Sequence, residues 1–328
     1  MASAPAVSVV IPLYNKASHV RRALDSVLAQ TCQEFEVIVV NDGSTDGSEK
    51  VVERYADPRI RLVHRERVNS AGGHAARNLG ISGARADLIA FLDADDEWLP
   101  THLETILRLR REFPQCGVYA TAFTIVTPRG SRAPSFAGVP APSFEGVLSN
   151  YFRTVYGDHA VWTSAVAIPR RVFDICSFFP EGEPRRGDLD MWCRVALRYP
   201  IAFSTHVGAV YHQEADNRVR NGGPILAEPR IVRTLEDALA RGDFPDGVTR
   251  SDLLEYKNIQ LITRAQSILR HGYRREARGL LQKASTTRVH RGALRRWVLL
   301  SRLPAPLAKL VLWVRSKRRR PRQRSRSR

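Results

Sequence analysis

Short β-branched runs alternate with helical patterns through the first third of the chain, and this rhythm constrains the fold more than any other feature. The strand candidates are residues 7–11, 35–40, 60–64 and 88–92. Between the first two, Val20, Leu24, Val27 and Leu28 recur at helical spacing, and between the last two lies the Ala-rich segment 72–83. Strands that alternate with helices are the pattern of βαβ units and of a parallel, doubly wound sheet. Such sheets bind ligands beyond the carboxyl ends of their strands. Chemistry is therefore expected in the loops after Ile11, Val40 and Leu92.

Further along, Pro100 opens a helical pattern of Leu103, Ile106, Leu107 and Leu109, followed by a strand-like stretch at 117–126. A Pro/Ser/Gly loop then carries a near repeat, residues 133–139 and 141–147. It reads either as an ordinary loop or as an acceptor-gating lid, since long loops in compact domains are often functional. From about Glu228 the pattern becomes helical, and the last helix candidates are 292–302 and 305–316, split by Pro304 and Pro306.

The formal net charge of +18 is unevenly distributed. Residues 1–225 hold 25 Lys+Arg and 25 Asp+Glu, whereas residues 226–328 hold 26 and 8, so all of the excess lies in the last third. A neutral front and a cationic rear argue against one basic nucleic-acid surface and for an anion-seeking appendage on a catalytic domain. Cys32, Cys116, Cys176 and Cys193 form no CxxC pair, so buried free thiols in a reducing cytoplasm are expected. The opening residues lack the charged and apolar regions of a signal peptide, because Pro12 closes the first apolar run within five residues.

Three loops carry the chemistry. The first begins Pro12-Leu13-Tyr14-Asn15, and the second reads Asn41-Asp42-Gly43-Ser44-Thr45-Asp46-Gly47-Ser48, where glycines permit tight turns and short polar side chains can cap a helix or bond a base. The third, Asp93-Ala94-Asp95-Asp96, places three carboxylates directly after a buried strand. Like charges this close repel unless a cation or hydrogen bonds compensate them. Hard carboxylate oxygens suit Mg²⁺ or Mn²⁺, with a diphosphate supplying further oxygens.

With the segment Asn69-Ser70-Ala71-Gly72-Gly73-His74-Ala75-Ala76-Arg77-Asn78-Leu79-Gly80, these loops resemble the family 2 glycosyltransferases over roughly residues 7–212. The resemblance implies an α/β fold of GT-A type, Rossmann-like, with a mostly parallel sheet flanked by helices and a helical C-terminal extension. It implies an inverting transfer of a sugar from a nucleotide-diphosphate donor, a UDP-sugar foremost, to an acceptor hydroxyl in cell-surface polysaccharide or glycolipid synthesis. Carried over position by position, Pro12, Tyr14, Asn15 and Asp42 line the nucleotide pocket, with Asp42 facing the base. Arg77 approaches the diphosphate, Asp93 contacts the donor ribose or sugar, and Asp95 binds the Mn²⁺ or Mg²⁺. The catalytic base of the family lies on a Glu-Asp pair opening a helix; here the pair is Gly187-Asp188, so Asp188 is the base and Gly187 stands where the Glu is usual. His212, after a strand candidate, is a second candidate metal contact.

The expected division is a GT-A domain at 1–225, a helical extension at 226–290 and an amphipathic, polybasic tail at 291–328. In the tail, Leu307, Leu310, Val311 and Val314 fall on one helical stripe, and the final 14 residues contain nine Lys/Arg and no acid. No uncharged apolar run is long enough to span a bilayer. An in-plane helix on an anionic membrane surface fits, placing the protein peripherally on the cytoplasmic face beside a glycan or lipid-linked acceptor. Two competing readings are a catalytically idle sugar-nucleotide scaffold, which Gly187 favours, and a nucleic-acid arm at 318–328. The neutral front and the lack of aromatics among those arginines count against the arm.

Overall fold

The computed structural model describes residues 4–66, 73–140, 143–154, 156–216, 223–284, 287–304 and 307. The chain forms two compact units, one of Met1–Gly222 with Thr234–Asp252 and the other of Gly223–Arg233 with Leu253–Arg328.

The first unit opens with β1 (Val7–Leu13), α1 (Val20–Leu28), β2 (Phe35–Asn41), α2 (Ser48–Val52), β3 (Ile60–His64), α3 (His74–Gly83) and β4 (Leu88–Phe91). It continues through β5 (Glu97–Trp98), α4 (His102–Glu112), β6 (Val118–Thr127), β7 (Gly130–Arg132), β8 (Glu145–Val147) and α5 (Tyr151–Thr154). After these come β9 (Val166–Pro169), α6 (Arg170–Cys176), α7 (Gly187–Ala196) and β10 (Ile201–His212). Among the described residues these strands form one sheet, ordered β3-β2-β1-β4-β9-β6-β10-β5, with β7 beside β6 and β8 beside β10. Strands β1 to β4 are parallel to one another, as are β6 and β10; β9 runs antiparallel between β4 and β6. The architecture is the expected mostly parallel sheet flanked by helices.

Two-sided burial explains the apolar runs of the central strands. On one face Val7, Val9, Ile11 and Leu13 pack with Val20, Ala23, Leu24 and Val27, the buried stripe of α1. On the other, Ile38 and Val40 meet Ala76 of α3. Helix α3 lies so close to β1 that a Cβ on Gly80 would sit 2.4 Å from Val10 Cγ1. Each fully buried valine or leucine contributes about 1.5–3 kcal/mol, so these faces fix which way each connecting loop leaves the sheet.

One expectation is corrected. Pro12 does not close the first strand: β1 continues in register with β2 through Pro12 opposite Val40 and Leu13 opposite Asn41. Pairing with β4 stops at Val10, so the proline lies past the stretch where β1 needs donors on both edges.

Residues 133–140 of the Pro/Ser/Gly loop are pinned rather than merely connecting. Ser135 N donates to Asp158 Oδ2 at 3.0 Å, Asp158 N returns a bond to Ser135 O at 2.7 Å, and the Phe136 ring stands edge-on to Phe203.

The remaining helices are α8 (Arg230–Arg241), α9 (Arg250–Arg270), α10 (Arg274–Lys283) and α11 (Arg291–Arg302). In the second unit Leu261, Ala265 and Ile268 of α9 pack with Ala277, Leu280 and Leu281 of α10 and with Trp297 and Leu300 of α11. The helix expected at 305–316 and the polybasic end lie, apart from Leu307, outside the described residues. Among those described, no helix is long and apolar enough to cross a membrane.

Candidate active site at the carboxyl ends of β1 and β4

Sheet order reverses direction at β1, whose neighbours are β2 on one side and β4 on the other. A crevice is expected beyond the carboxyl ends of the strands at such a switch point, and the sequence-derived residues meet there. The loops after β1 and β2 are stitched together: Asn15 N donates to Ser44 Oγ at 3.1 Å, Thr45 N to Asn15 Oδ1 at 2.8 Å, and Lys16 N to Ser48 Oγ at 2.8 Å. Asn15 adopts φ 51°, a left-handed conformation that asparagine tolerates better than most residues. Pro12 ends this wall next to Gly73, and Tyr14 is partly exposed above it. Asp42 is buried; its N–H reaches Leu13 O at 2.8 Å and its carboxylate is paired with the Arg65 guanidinium.

The three carboxylates after β4 have separate partners. Asp93 accepts from Arg77, and Asp95 Oδ2 accepts from Lys16 Nζ at 2.8 Å. Asp96 accepts from Ser164 Oγ at 2.7 Å and from the His212 backbone N–H at 3.0 Å. Burial, reinforced by the charges of Asp95 and Asp93, pushes the Asp96 carboxyl well above its ordinary range. Burial also raises Asp93, with Asp95 and Asp188 adding to the rise and Arg77 opposing it. Asp188 thus lies near enough to Asp93 to be felt as a charge.

Asp188 occupies the first turn of α7, where the helix dipole favours an anion. Its Oδ2 accepts from Thr163 Oγ1 at 3.3 Å. Asp190 faces the other way: it is fully buried, salt-bridged to Arg194 Nε at 2.9 Å and bonded by Thr234 Oγ1 at 2.6 Å. One carboxylate of α7 therefore stands near Asp93 and the other anchors the helix.

Among the described residues, no three His, Cys, Asp or Glu side chains converge as a metal cluster. A single carboxylate is nonetheless compatible with Mg²⁺ or Mn²⁺, because phosphates and waters complete the shell, and Asp95 offers its Oδ1. His212 fits less well. Its Nδ1 is 2.5 Å from Glu214 and its Nε2 3.1 Å from Glu97, so a metal contact would require one of these bonds to open.

Lys16, Arg65 and Ser164 escaped the sequence reading, and His74 figured there only within the glycine-rich segment. Lys16 had a visible signal, a cation directly after Tyr14-Asn15; the others are brought in by tertiary contacts that no local pattern announces.

Residues 8–142 match the model of the family described as Glycosyl transferase family 2. Over that stretch the chain carries the sequence pattern of the family. It is 33% identical over 138 residues to the putative teichuronic acid biosynthesis glycosyltransferase TuaG of Bacillus subtilis, covering 42% of this chain and 54% of the relative. Two curated relatives at 42% identity are matched over 32% and 30% of their own lengths. The chain therefore spans about a third of them. Among solved structures, S. aureus TarS 1-349 in complex with UDP-GlcNAc superposes with a TM-score of 0.65 at 18% identity, covering 95% of this chain and 87% of that one. The mannosyltransferase PcManGT from Pyrobaculum calidifontis, in complex with GDP-Man and Mn²⁺, gives 0.57 at 19%, with 95% and 88% covered. At such identity the likeness is one of fold, a mostly parallel sheet flanked by helices of GT-A type.

Proposed function

We propose that this chain is a family 2 glycosyltransferase that transfers a sugar from a nucleotide-diphosphate donor, a UDP-sugar foremost, to an acceptor hydroxyl with inversion at the anomeric carbon. The observation that carries the reading is the gathering of Asp93, Asp95 and Arg77 with Asp188 around the end of the β1/β4 switch point. The nucleotide lies along Pro12, Tyr14, Asn15 and Asp42, with Arg77 toward the diphosphate and Asp93 toward the ribose or sugar. Asp188 takes the acceptor proton as the hydroxyl oxygen attacks the anomeric carbon from the face opposite the diphosphate. The bond from that carbon to the diphosphate oxygen breaks, and no second carboxylic acid is needed, unlike in a glycosidase.

Asp95 would hold the divalent cation, with His212 joining only if it releases a glutamate. When bound, the cation supplies charge neutralisation for the leaving diphosphate. The solved complexes of TarS with UDP-GlcNAc and of PcManGT with GDP-Man and Mn²⁺ support a donor of this class. The polysaccharide role named for TuaG supports a glycan or lipid-linked acceptor. The basic, amphipathic C-terminal segment would hold the protein peripherally on the cytoplasmic face of an anionic membrane.

The test is release of nucleoside diphosphate from a panel of UDP- and GDP-sugars, with and without Mn²⁺, alongside calorimetric binding of the same donors. Binding without turnover, with any acceptor hydroxyl offered, would favour the idle-scaffold reading that Gly187 suggests. Neither binding nor turnover would remove the sugar-nucleotide reading altogether.

A further inference from the structure

The side-chain space at the start of α7 is filled from another element. A Cβ on Gly187 would lie 2.5 Å from His74 Nε2 and 2.9 Å from both His74 Cε1 and Pro180 Cγ. Gly187 is not among the residues with positive φ. Space, and not backbone conformation, therefore demands glycine there. The imidazole of His74, at the N-terminus of α3, stands where the family's glutamate would project.

That imidazole is oriented and yet unsatisfied. It is 3% exposed and stacks on Phe179 at 6.0 Å and 8°, while Phe179 is held by the ring edges of Phe91 and Trp192. Neither ring nitrogen has a hydrogen-bond partner among the described residues. A neutral imidazole carries one donor and one acceptor, and a buried pair left unused costs free energy that a purely structural residue has no reason to bear. The charged groups facing the ring are Arg77 on its own helix and Asp188 beside Gly187, with Asp93 engaging Arg77. His159 in turn feels the charges of Arg186, Asp188 and Asp158. Burial and then the Arg77 charge push the His74 pKa down to about 4, against the pull of Asp188. The ring is neutral at ordinary pH.

We propose that His74 is a positioning residue of the reaction centre, its imidazole replacing the side chain absent at 187 and orienting the Asp188 carboxylate toward the acceptor hydroxyl. A neutral donor can orient that carboxylate without cancelling the charge that makes it a base. Such bonds are commonly loose before substrate binds and tighten in the substrate complex. The proposal rests on the reading of Asp188 as base.

Two measurements on the full chain test it. In ¹⁵N-histidine-labelled protein at about pH 7, with the His74 signals assigned by His74→Gln, a neutral ring with one dominant tautomer is expected, and Asp188→Asn should shift its ring nitrogens. Signals that stay in place on removal of the Asp188 charge overturn the proposal, and this readout needs no turnover. With UDP-GlcNAc or GDP-mannose, whichever is consumed, His74→Ala should lower kcat by about 10²-fold with donor KM nearly unchanged. His74→Asn, which retains an N–H donor, should recover part of the loss. Equal losses in the Ala and Asn variants, or a change confined to KM, also overturn it. Absent turnover in the wild type counts against the sugar-transfer reading alone, and the ring shifts then decide the role of His74.

Discussion

Lys16 Nζ donates to Asp95 Oδ2 at 2.8 Å, joining the loop that leaves β1 to the loop that leaves β4 across the switch point of the sheet. Both side chains are largely shielded, at 11% and 16% exposure, so the ammonium supplies the positive charge that an acidic cluster of this density needs. A divalent cation at Asp95 would share the carboxylate with Lys16 or displace it.

The first prediction follows from that competition. Asp95→Asn keeps the side-chain shape and removes the charge, so Mn²⁺ should no longer strengthen nucleotide binding. Lys16→Met should do the reverse and tighten Mn²⁺ binding in the absence of nucleotide, by about tenfold if about 1.4 kcal/mol of pairing is released. Isothermal calorimetry reads both. Undiminished Mn²⁺ enhancement in Asp95→Asn would exclude Asp95 as a ligand.

Asp188→Asn should separate catalysis from binding. Loss of a general base costs about 10²- to 10⁴-fold in rate, and the residue stands on α7, not on the stitched loops at Asn15 and Ser44 proposed to face the nucleotide. Turnover should collapse while the donor dissociation constant stays within about twofold, a change near 0.4 kcal/mol. Wild-type kcat in this variant, measured with a competent acceptor, would end the assignment.

What could be read in advance was local. The alternation of apolar runs located the loops after β1, β2 and β4, because two-sided burial leaves a continuous apolar signature and the carboxyl ends of parallel strands collect ligands. Asp95 and Asp188 were recognisable because each sits in a short, ordered motif. What pairs with them was not. Lys16 and Asp95 are 79 positions apart, and Ser164 and Asp96 are 68 apart, so nothing in either neighbourhood encodes the contact. Strand β9 was likewise invisible, since four residues, Val166–Pro169, carry too little periodicity to declare a strand between β4 and β6. Gly187 was legible as a departure, but its cause, the His74 ring, belongs to a helix more than a hundred residues earlier.

A buried carboxylate away from the crevice predicts a pH effect on stability. Glu36 in β2 accepts from Ser8 Oγ at 2.7 Å, from Arg85 N at 2.6 Å and from Arg85 Nε at 2.8 Å. Burial alone would raise its pKa, yet these bonds and the Arg85 charge outweigh it and hold the carboxyl below its ordinary value of 4.5. A depressed folded pKa contributes stability that is complete above the unfolded value and is lost as pH falls through the folded one. Glu36→Gln should therefore lower stability by about 1–3 kcal/mol near neutrality and flatten the acid limb of a melting-temperature profile below about pH 4.5. An acid limb identical to that of the wild type would show that Glu36 does not carry this linkage.

The C-terminal segment gives the last prediction. Leu299 is 62% exposed near the end of α11 and Leu307 is 50% exposed beyond it, while Arg295 and Arg296 share α11 and nine Lys/Arg fill residues 315–328. A short apolar face binds a bilayer weakly, and charge attraction fades beyond a Debye length of about 8 Å at physiological salt. Together they should bind anionic vesicles reversibly, with each cation near the surface adding up to about 1 kcal/mol. Deleting residues 303–328 should abolish sedimentation with phosphatidylglycerol vesicles and leave donor binding unchanged, because the loops proposed to face the nucleotide belong to the other compact unit. Raising the salt should release the full chain from vesicles in the same assay. A truncated protein that still pellets would show that the anchor lies elsewhere; preference of the full chain for RNA over vesicles at about 0.15 M salt would turn the basic end into a nucleic-acid arm.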